Sequence, residues 1–286
     1  MSRIAIVGGG NMGEALLAGL LRSGRQLKDL VVAEQSTTRA AQLASTYSVR
    51  VGGIAAAVEN ADYVVLAVKP ADAGSVVAEI AEVIAGTQGH SAEHVLISVV
   101  AGATTGFYES RLPAGAPVIR VMPNTPALVS AGISALAKGR FATAEHLAAA
   151  AELFESVGGV LTVPESQMDA VTAVSGSGPA YFFLLVEALV DAGVAAGLSR
   201  VVATDLVVQT MAGSAAMLLD RRPEAGTAPL AVPDTNAAQL RAMVTSPGGT
   251  TAAGLQELER GGLRAAVANA VEAAKKRSEQ LGITSA

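Results

Sequence analysis

Apolar positions along the chain fall into two textures. Through the first half, short runs rich in Val and Ile (RIAIV, DLVVAE, YSVRV, DYVVLAV, HVLISVV, PVIRVM) alternate with Ala/Leu/Glu segments such as NMGEALLAGLLRSG and PADAGSVVAEIAEVIAG. Near-continuous apolar strands joined by helical crossovers predict a mostly parallel sheet covered on both faces, a Rossmann-like α/β domain. GISALAKG and GGVLTV read as added edge strands around a helix over Ala144–Ser156.

Near Pro164 the texture changes, and everything beyond reads as helix or loop. The expected division is a dinucleotide-type domain over residues 1–164 and an all-α dimerisation domain over residues 165–286. Ser166 with Asp169 reads as a capping box. Pro179 suits the first turn of GPAYFFLLVEALVDAG, Gly193 and Gly197 punctuate its end, and Ser199 can cap RVVATDLVVQTMAGSAAMLLDRR. Both helices are apolar on nearly every face, and such a helix must be buried all round. So small a domain has little interior for two of them, which predicts a subunit interface and at least a homodimer. The stretch 223–236 holds Pro223, Pro229 and Pro233 and reads as a long loop.

Composition narrows the function. The net charge is −5 with no basic run, and Trp is absent, which argues against a nucleic-acid partner. With no cysteine, disulfides and thiolate metal sites are excluded, and a cytoplasmic location fits. His90, His94 and His146 lack metal-ligand spacing; the first two flank a strand and read as solvated. No metal is expected. The N-terminus runs straight into a strand without room for a signal peptide. Glu187 and Asp191 interrupt the longest apolar stretch, so it reads as a buried helix and not a membrane span.

The chemistry begins at IAIVGGGNMGEALLAGLL. Gly8, Gly10 and Gly13 form GxGxxG between a strand and a helix. Gly8 permits the tight turn, Gly10 lets backbone approach a pyrophosphate, and Gly13 allows close helix–strand packing. Asn11 and Met12, inside this turn, join the candidate cofactor contacts. Glu34 ends the second strand, where a carboxylate would accept from the 2′-hydroxyl of NAD and repel the 2′-phosphate of NADP. Ser36, Thr37 and Arg39 follow closely and could hold that phosphate instead, so NAD and NADP both stay open. Further candidates sit at strand ends, the ligand edge of such sheets: Ala67, Val68, Lys69 and Pro70; Ala101 and Gly102; and Asn124 between two prolines.

The second half offers TSPGGTT before a helix. A helix start carries free N–H groups and partial positive charge, and preceding glycines let those amides turn inward. Ser246, Gly248, Gly249, Thr250 and Thr251 could therefore hold a small carboxylate without a basic side chain. Ser175 and Gly176, in SGSGPAY, form a second Gly/Ser-rich turn that could admit substrate or only a neighbouring helix.

With VGGGNMGEA, AVKP, RVMPNTP, AVSGSGPAYFF and VTSPGGTTAAGLQELE in order, the chain resembles the pyrroline-5-carboxylate reductases over nearly its full length. The resemblance implies NAD(P)H-dependent reduction of 1-pyrroline-5-carboxylate to proline, the last step of proline biosynthesis. It also implies a homodimer, with dimers that often assemble into rings of five. The substrate carboxylate would lie on the loop of Ser246, Gly248, Gly249 and Thr250, with Thr251 beside the ring nitrogen as the catalytic candidate. A protonated cyclic imine is already electrophilic, which would explain the lack of an acid–base pair. Glu34, Ile54 and Met243 depart from the usual family residues and leave cofactor preference open. Two competing readings are a β-hydroxyacid dehydrogenase and a non-catalytic nucleotide-binding regulator. The first expects a lysine on the helix after SGSG, and that helix has neither Lys nor Arg.

Overall fold

The computed structural model describes residues 2–86, 94–220 and 235–284. His90 and residues 223–234 of the expected loop lie outside them. The chain begins β1 (Ile4–Val7), α1 (Asn11–Arg22), β2 (Leu30–Ala33), α2 (Thr37–Tyr47), β3 (Arg50–Gly52), α3 (Ile54–Val58). It continues β4 (Tyr63–Leu66), α4 (Ala73–Gly86), β5 (Val95–Ser98), α5 (Thr105–Glu109), β6 (Val118–Met122). Then come β7 (Gly132–Lys138), α6 (Ala144–Glu155) and β8 (Gly158–Thr162). The remaining helices are α7 (Met168–Val171), α8 (Gly178–Ala195), α9 (Arg200–Asp220), α10 (Thr235–Met243), α11 (Thr250–Arg260) and α12 (Leu263–Thr284).

The strands form one eight-stranded sheet in the order β3-β2-β1-β4-β5-β6-β7-β8. All neighbours are parallel except β6 and β7. Ile4 on β1 pairs with Leu30 on one side and Tyr63 on the other. Chain order reverses at β1/β4, the switch point where such sheets open a crevice beyond their strand ends. Alternation along β1 sends Ile4 and Ile6 to one core, with Leu16, Leu17 and Phe154. Ala5 and Val7 enter a second core with Val77, Ile80 and Tyr108. Two apolar faces explain why the strand lacks polar alternation.

Two compact units appear, Met1–Pro179 with Val271–Ala286, and Ala180–Ala270. Pro179, where the long segment of the first unit ends, lies just inside the start of α8. In the second unit Ser199 accepts from the Val202 amide to cap α9. The expected all-round burial of α8 and α9 is not met within one chain. Phe183, Leu184 and Val201 are 63%, 67% and 71% exposed. Each large apolar side chain left in water forgoes roughly 1.5–3 kcal/mol of burial. By length and composition alone, Glu165–Ala195 and Arg200–Asp220 are apolar enough to cross a membrane.

Three local expectations are corrected. Ser166 caps nothing: Pro164 leads into a 3-10 turn over Glu165–Gln167, and α7 starts without a side-chain cap. Asp169 instead accepts from Ser278 Oγ at 2.6 Å and faces buried Arg120, whose charge draws it inward. The SGSG stretch is no open turn; Thr172–Gly176 form a π turn inside a continuous helical run. His94 is buried, not solvated, with Nδ1 2.6 Å from the Ala61 carbonyl.

Candidate functional site

The switch point holds a cleft of about 550 Å³, lined by residues that include Gly8, Gly10, Glu34, Ala67, Val68 and Lys69. The glycines there divide three tasks. Gly8 has φ +105°, and a Cβ on it would lie 2.5 Å from the Ala67 carbonyl oxygen. A Cβ on Gly13 would lie 2.0 Å from the Gly8 oxygen, so α1 packs this closely on β1 only without a side chain. Gly10 is the N-cap of α1, lines the cleft, and a Cβ there would meet nothing within 4 Å. An open cradle before unbonded first-turn amides fits a diphosphate.

At the other end of the cleft, Glu34 accepts from the Gly9 amide at 2.9 Å and the Ser36 amide at 2.8 Å. Ser36 caps α2 through the Arg39 amide. Arg39 turns away: Nε donates to the Gly9 carbonyl, Nη1 to Gln42, and Nη2 pairs with Glu14. Asn11 is exposed in the first turn of α1, while Met12 packs on the core. Pro70 opens the 3-10 turn after Lys69.

The remaining first-unit candidates meet different neighbours. Gly102, with φ +80°, packs on the backbone of Leu281 and Gly282 in α12, next to Ala101 in the turn after β5. Asn124 accepts from the Ile133 amide at 3.0 Å and donates to Ser175 Oγ at 3.3 Å. A Cβ on Gly176 would lie 2.6 Å from the Met122 methyl. Asn124, Ser175 and Gly176 thus join the end of β6 to the π turn.

Sequence reasoning missed two features. Gln35, Gly52, Gly53, Asp72, Ser75 and Glu79 also line the cleft. The strand-end rule points to Gly52 and Gly53 at the end of β3, whereas only folding brings α4 residues alongside. The second is Arg120, whose side chain is 3% exposed. It pairs with Glu165 Oε1 at 3.0 Å, and that oxygen also accepts from the Thr105 amide. A single arginine in the apolar run PVIRVM was the available signal, since a buried charge requires a partner.

In the second unit, Ser246–Thr251 is largely open to solvent, with Gly249 and Thr251 partly covered. Gly248 takes φ +68°, and Gly249 caps α11 without a side-chain hydrogen bond. Thr250 and Thr251 are the first two residues of that helix. The segment therefore presents helix-start amides and hydroxyls with no competing side-chain cap.

Comparison with known proteins converges with this geometry. The family described as pyrroline-5-carboxylate reductase dimerisation matches residues 165–281, and that described as NADP oxidoreductase, coenzyme F420-dependent, matches residues 3–102. A pyrroline-5-carboxylate reductase of Mycobacterium tuberculosis is 66% identical, over 99% of this chain and 98% of its own. The solved pyrroline-5-carboxylate reductase of Coxiella burnetii superposes with TM-score 0.87 at 33% identity, covering 98% of each chain. The Plasmodium falciparum pyrroline carboxylate reductase, solved with NADP bound, gives TM-score 0.81 at 31% identity, again over 98% of each. The exposed apolar faces of α8 and α9 fall inside the matched dimerisation region, in keeping with self-association of the chain. A glycine cradle at the switch point, an uncapped TSPGGTT helix start and full-length identity agree, and the chain belongs to the pyrroline-5-carboxylate reductase family.

Proposed function

We infer that this protein reduces 1-pyrroline-5-carboxylate to L-proline, the last step of proline biosynthesis. When bound, NADH or NADPH supplies the hydride. The observation that carries the reading is the Ser246–Thr251 segment, a helix start without a side-chain cap, with positive-φ Gly248, the Gly249 amide turned onto the Ser246 carbonyl, and no basic side chain. Such a cradle suits a small carboxylate on a ring that needs no strong acid or base. Ser246, Gly248, Gly249 and Thr250 hold that carboxylate, and Thr251 supports the ring nitrogen as it gains a hydrogen. Ser175, bonded to Asn124, and Gly176, packed on Met122, are the further substrate-contact candidates.

In the nucleotide domain, Gly8, Gly10, Asn11, Met12 and Gly13 form the diphosphate turn. Ala67, Val68, Lys69 and Pro70 form the facing wall, with Ala101, Gly102 and Asn124 supporting the nicotinamide end. Ser36 and Arg39 act less directly, since Ser36 caps α2 and Arg39 braces the Gly9 carbonyl. Fixed orientation of imine and nicotinamide supplies most of the acceleration.

We place the functional boundary near Pro164, with residues 165–286 carrying substrate binding and dimerisation. Assembly of five dimers into a ring, and a cytoplasmic location without nucleic-acid or membrane partners, complete the proposal. Oxidation of NADH or NADPH on adding 1-pyrroline-5-carboxylate, with proline identified as product, tests it. Failure to form proline with either nucleotide would refute the reading.

A further inference from the structure

Two opposite arrangements at the end of β2 were open from sequence: a carboxylate that favours a ribose hydroxyl, or a cation that favours a phosphate. The folded geometry separates them. Glu34 lines the cleft, and the Gly9 and Ser36 amides hold its carboxylate, one on each oxygen. Each oxygen keeps a further acceptor site. Arg39, the nearest cation in sequence, commits three of its five N–H donors, one on each guanidinium nitrogen, to the Gly9 carbonyl, Gln42 and Glu14. Tyr47 also donates to Glu14, which locks this acid in place beside Arg39. Arg39 does not line the cleft.

The rest of the wall carries the same sign. Asp72 and Glu79 also line the cleft, and among the described residues that line it Lys69 is the one cation against these three acids. A 2′-phosphate adds negative charge beside a fixed carboxylate, whereas a 2′-hydroxyl donates to it.

We propose that Glu34 makes this enzyme select NADH over NADPH, by accepting from the adenosine ribose and repelling a 2′-phosphate. The proposal deepens the functional reading above and rests on its placing of the dinucleotide in this cleft. Arg39 serves as a positioning residue, holding the glycine turn through the Gly9 carbonyl. Freeing it from Glu14 would be needed before it could meet a phosphate.

Calorimetric titration of the full-length protein with NADH and with NADPH, without imine, reads the preference directly. Steady-state kcat/KM with each nucleotide and 1-pyrroline-5-carboxylate reads it in turnover. The wild type should favour NADH at least about tenfold in both, a difference of about 1.4 kcal/mol. Glu34→Gln keeps an acceptor but drops the charge, and should tighten NADPH while keeping most NADH affinity. Glu34→Ser should narrow or invert the ratio by losing NADH affinity as well. Equal or stronger NADPH binding by the wild type overturns the proposal and leaves the reductase reading standing. Binding of neither nucleotide overturns both.

Discussion

Arg120 Nη1 meets Glu165 Oε1 at 3.0 Å, joining the sheet to the segment that opens the matched dimerisation region. The two ends of this pair are unequal. Arg120 is almost fully enclosed, while the Glu165 and Asp169 side chains are 29% and 30% exposed. Removing Glu165 leaves an enclosed arginine that cannot lose its charge facing only the more distant Asp169 carboxylate at 4.0 Å, whereas removing Arg120 leaves carboxylates that still reach water. Glu165→Leu should cost about 3–5 kcal/mol and Arg120→Met less, with the double variant recovering most of the loss. Urea unfolding of the three variants measures the order; equal single costs would contradict it.

Gly10 and Gly13 sit in one motif but face opposite constraints. Gly13→Ala drives a methyl into the Gly8 carbonyl and should destabilise by about 1–3 kcal/mol or more. Gly10→Ala meets open space, and its φ of −67° suits alanine. That variant should unfold within about 0.5 kcal/mol of wild type yet bind dinucleotide at least about tenfold more weakly. Thermal melts paired with nucleotide titration separate the two.

The TSPGGTT proposal predicts a split between binding steps. Thr251→Ala should lower kcat with 1-pyrroline-5-carboxylate far more than it weakens NAD(P)H binding. Gly248→Ala must hold alanine at φ +68°, which costs about 1–2 kcal/mol, and nothing nearby blocks the methyl. It should raise KM for the imine acid while nucleotide affinity stays. Unchanged kinetics in both variants would remove this segment from the site.

Burial pushes the Tyr108 phenol up to about 12, while the Ser98 hydroxyl bonded to it and nearby Arg120 pull the other way. The unfolded chain therefore releases this proton first, near the ordinary value of 10.0. The resulting stability is fully present below that value and is lost as pH rises through about 12. Unfolding free energy should drop by about 3 kcal/mol from this group across that window. Tyr108→Phe should flatten that part of the profile in denaturant titrations at stepped pH.

Much of the architecture was legible because local patterns carry it. Apolar runs such as RIAIV and DYVVLAV have only one stable setting, a strand covered on both faces, and GxGxxG states its own turn geometry. The apolar faces of α8 and α9 also announced a missing partner. Other features depend on who meets whom. Glu34 and Arg39 lie a few residues apart, and sequence permits either to face the ribose. Only the packed positions of Gly9, Glu14 and Gln42 turn the arginine away. Ser166 and Asp169 satisfy a capping pattern locally, yet Arg120, distant in sequence, takes Asp169 into its own neighbourhood. Periodicity and turn chemistry are short-range and so are written in neighbouring residues. Charge pairing in a low-dielectric interior is long-range, and only the tertiary structure decides which groups share it.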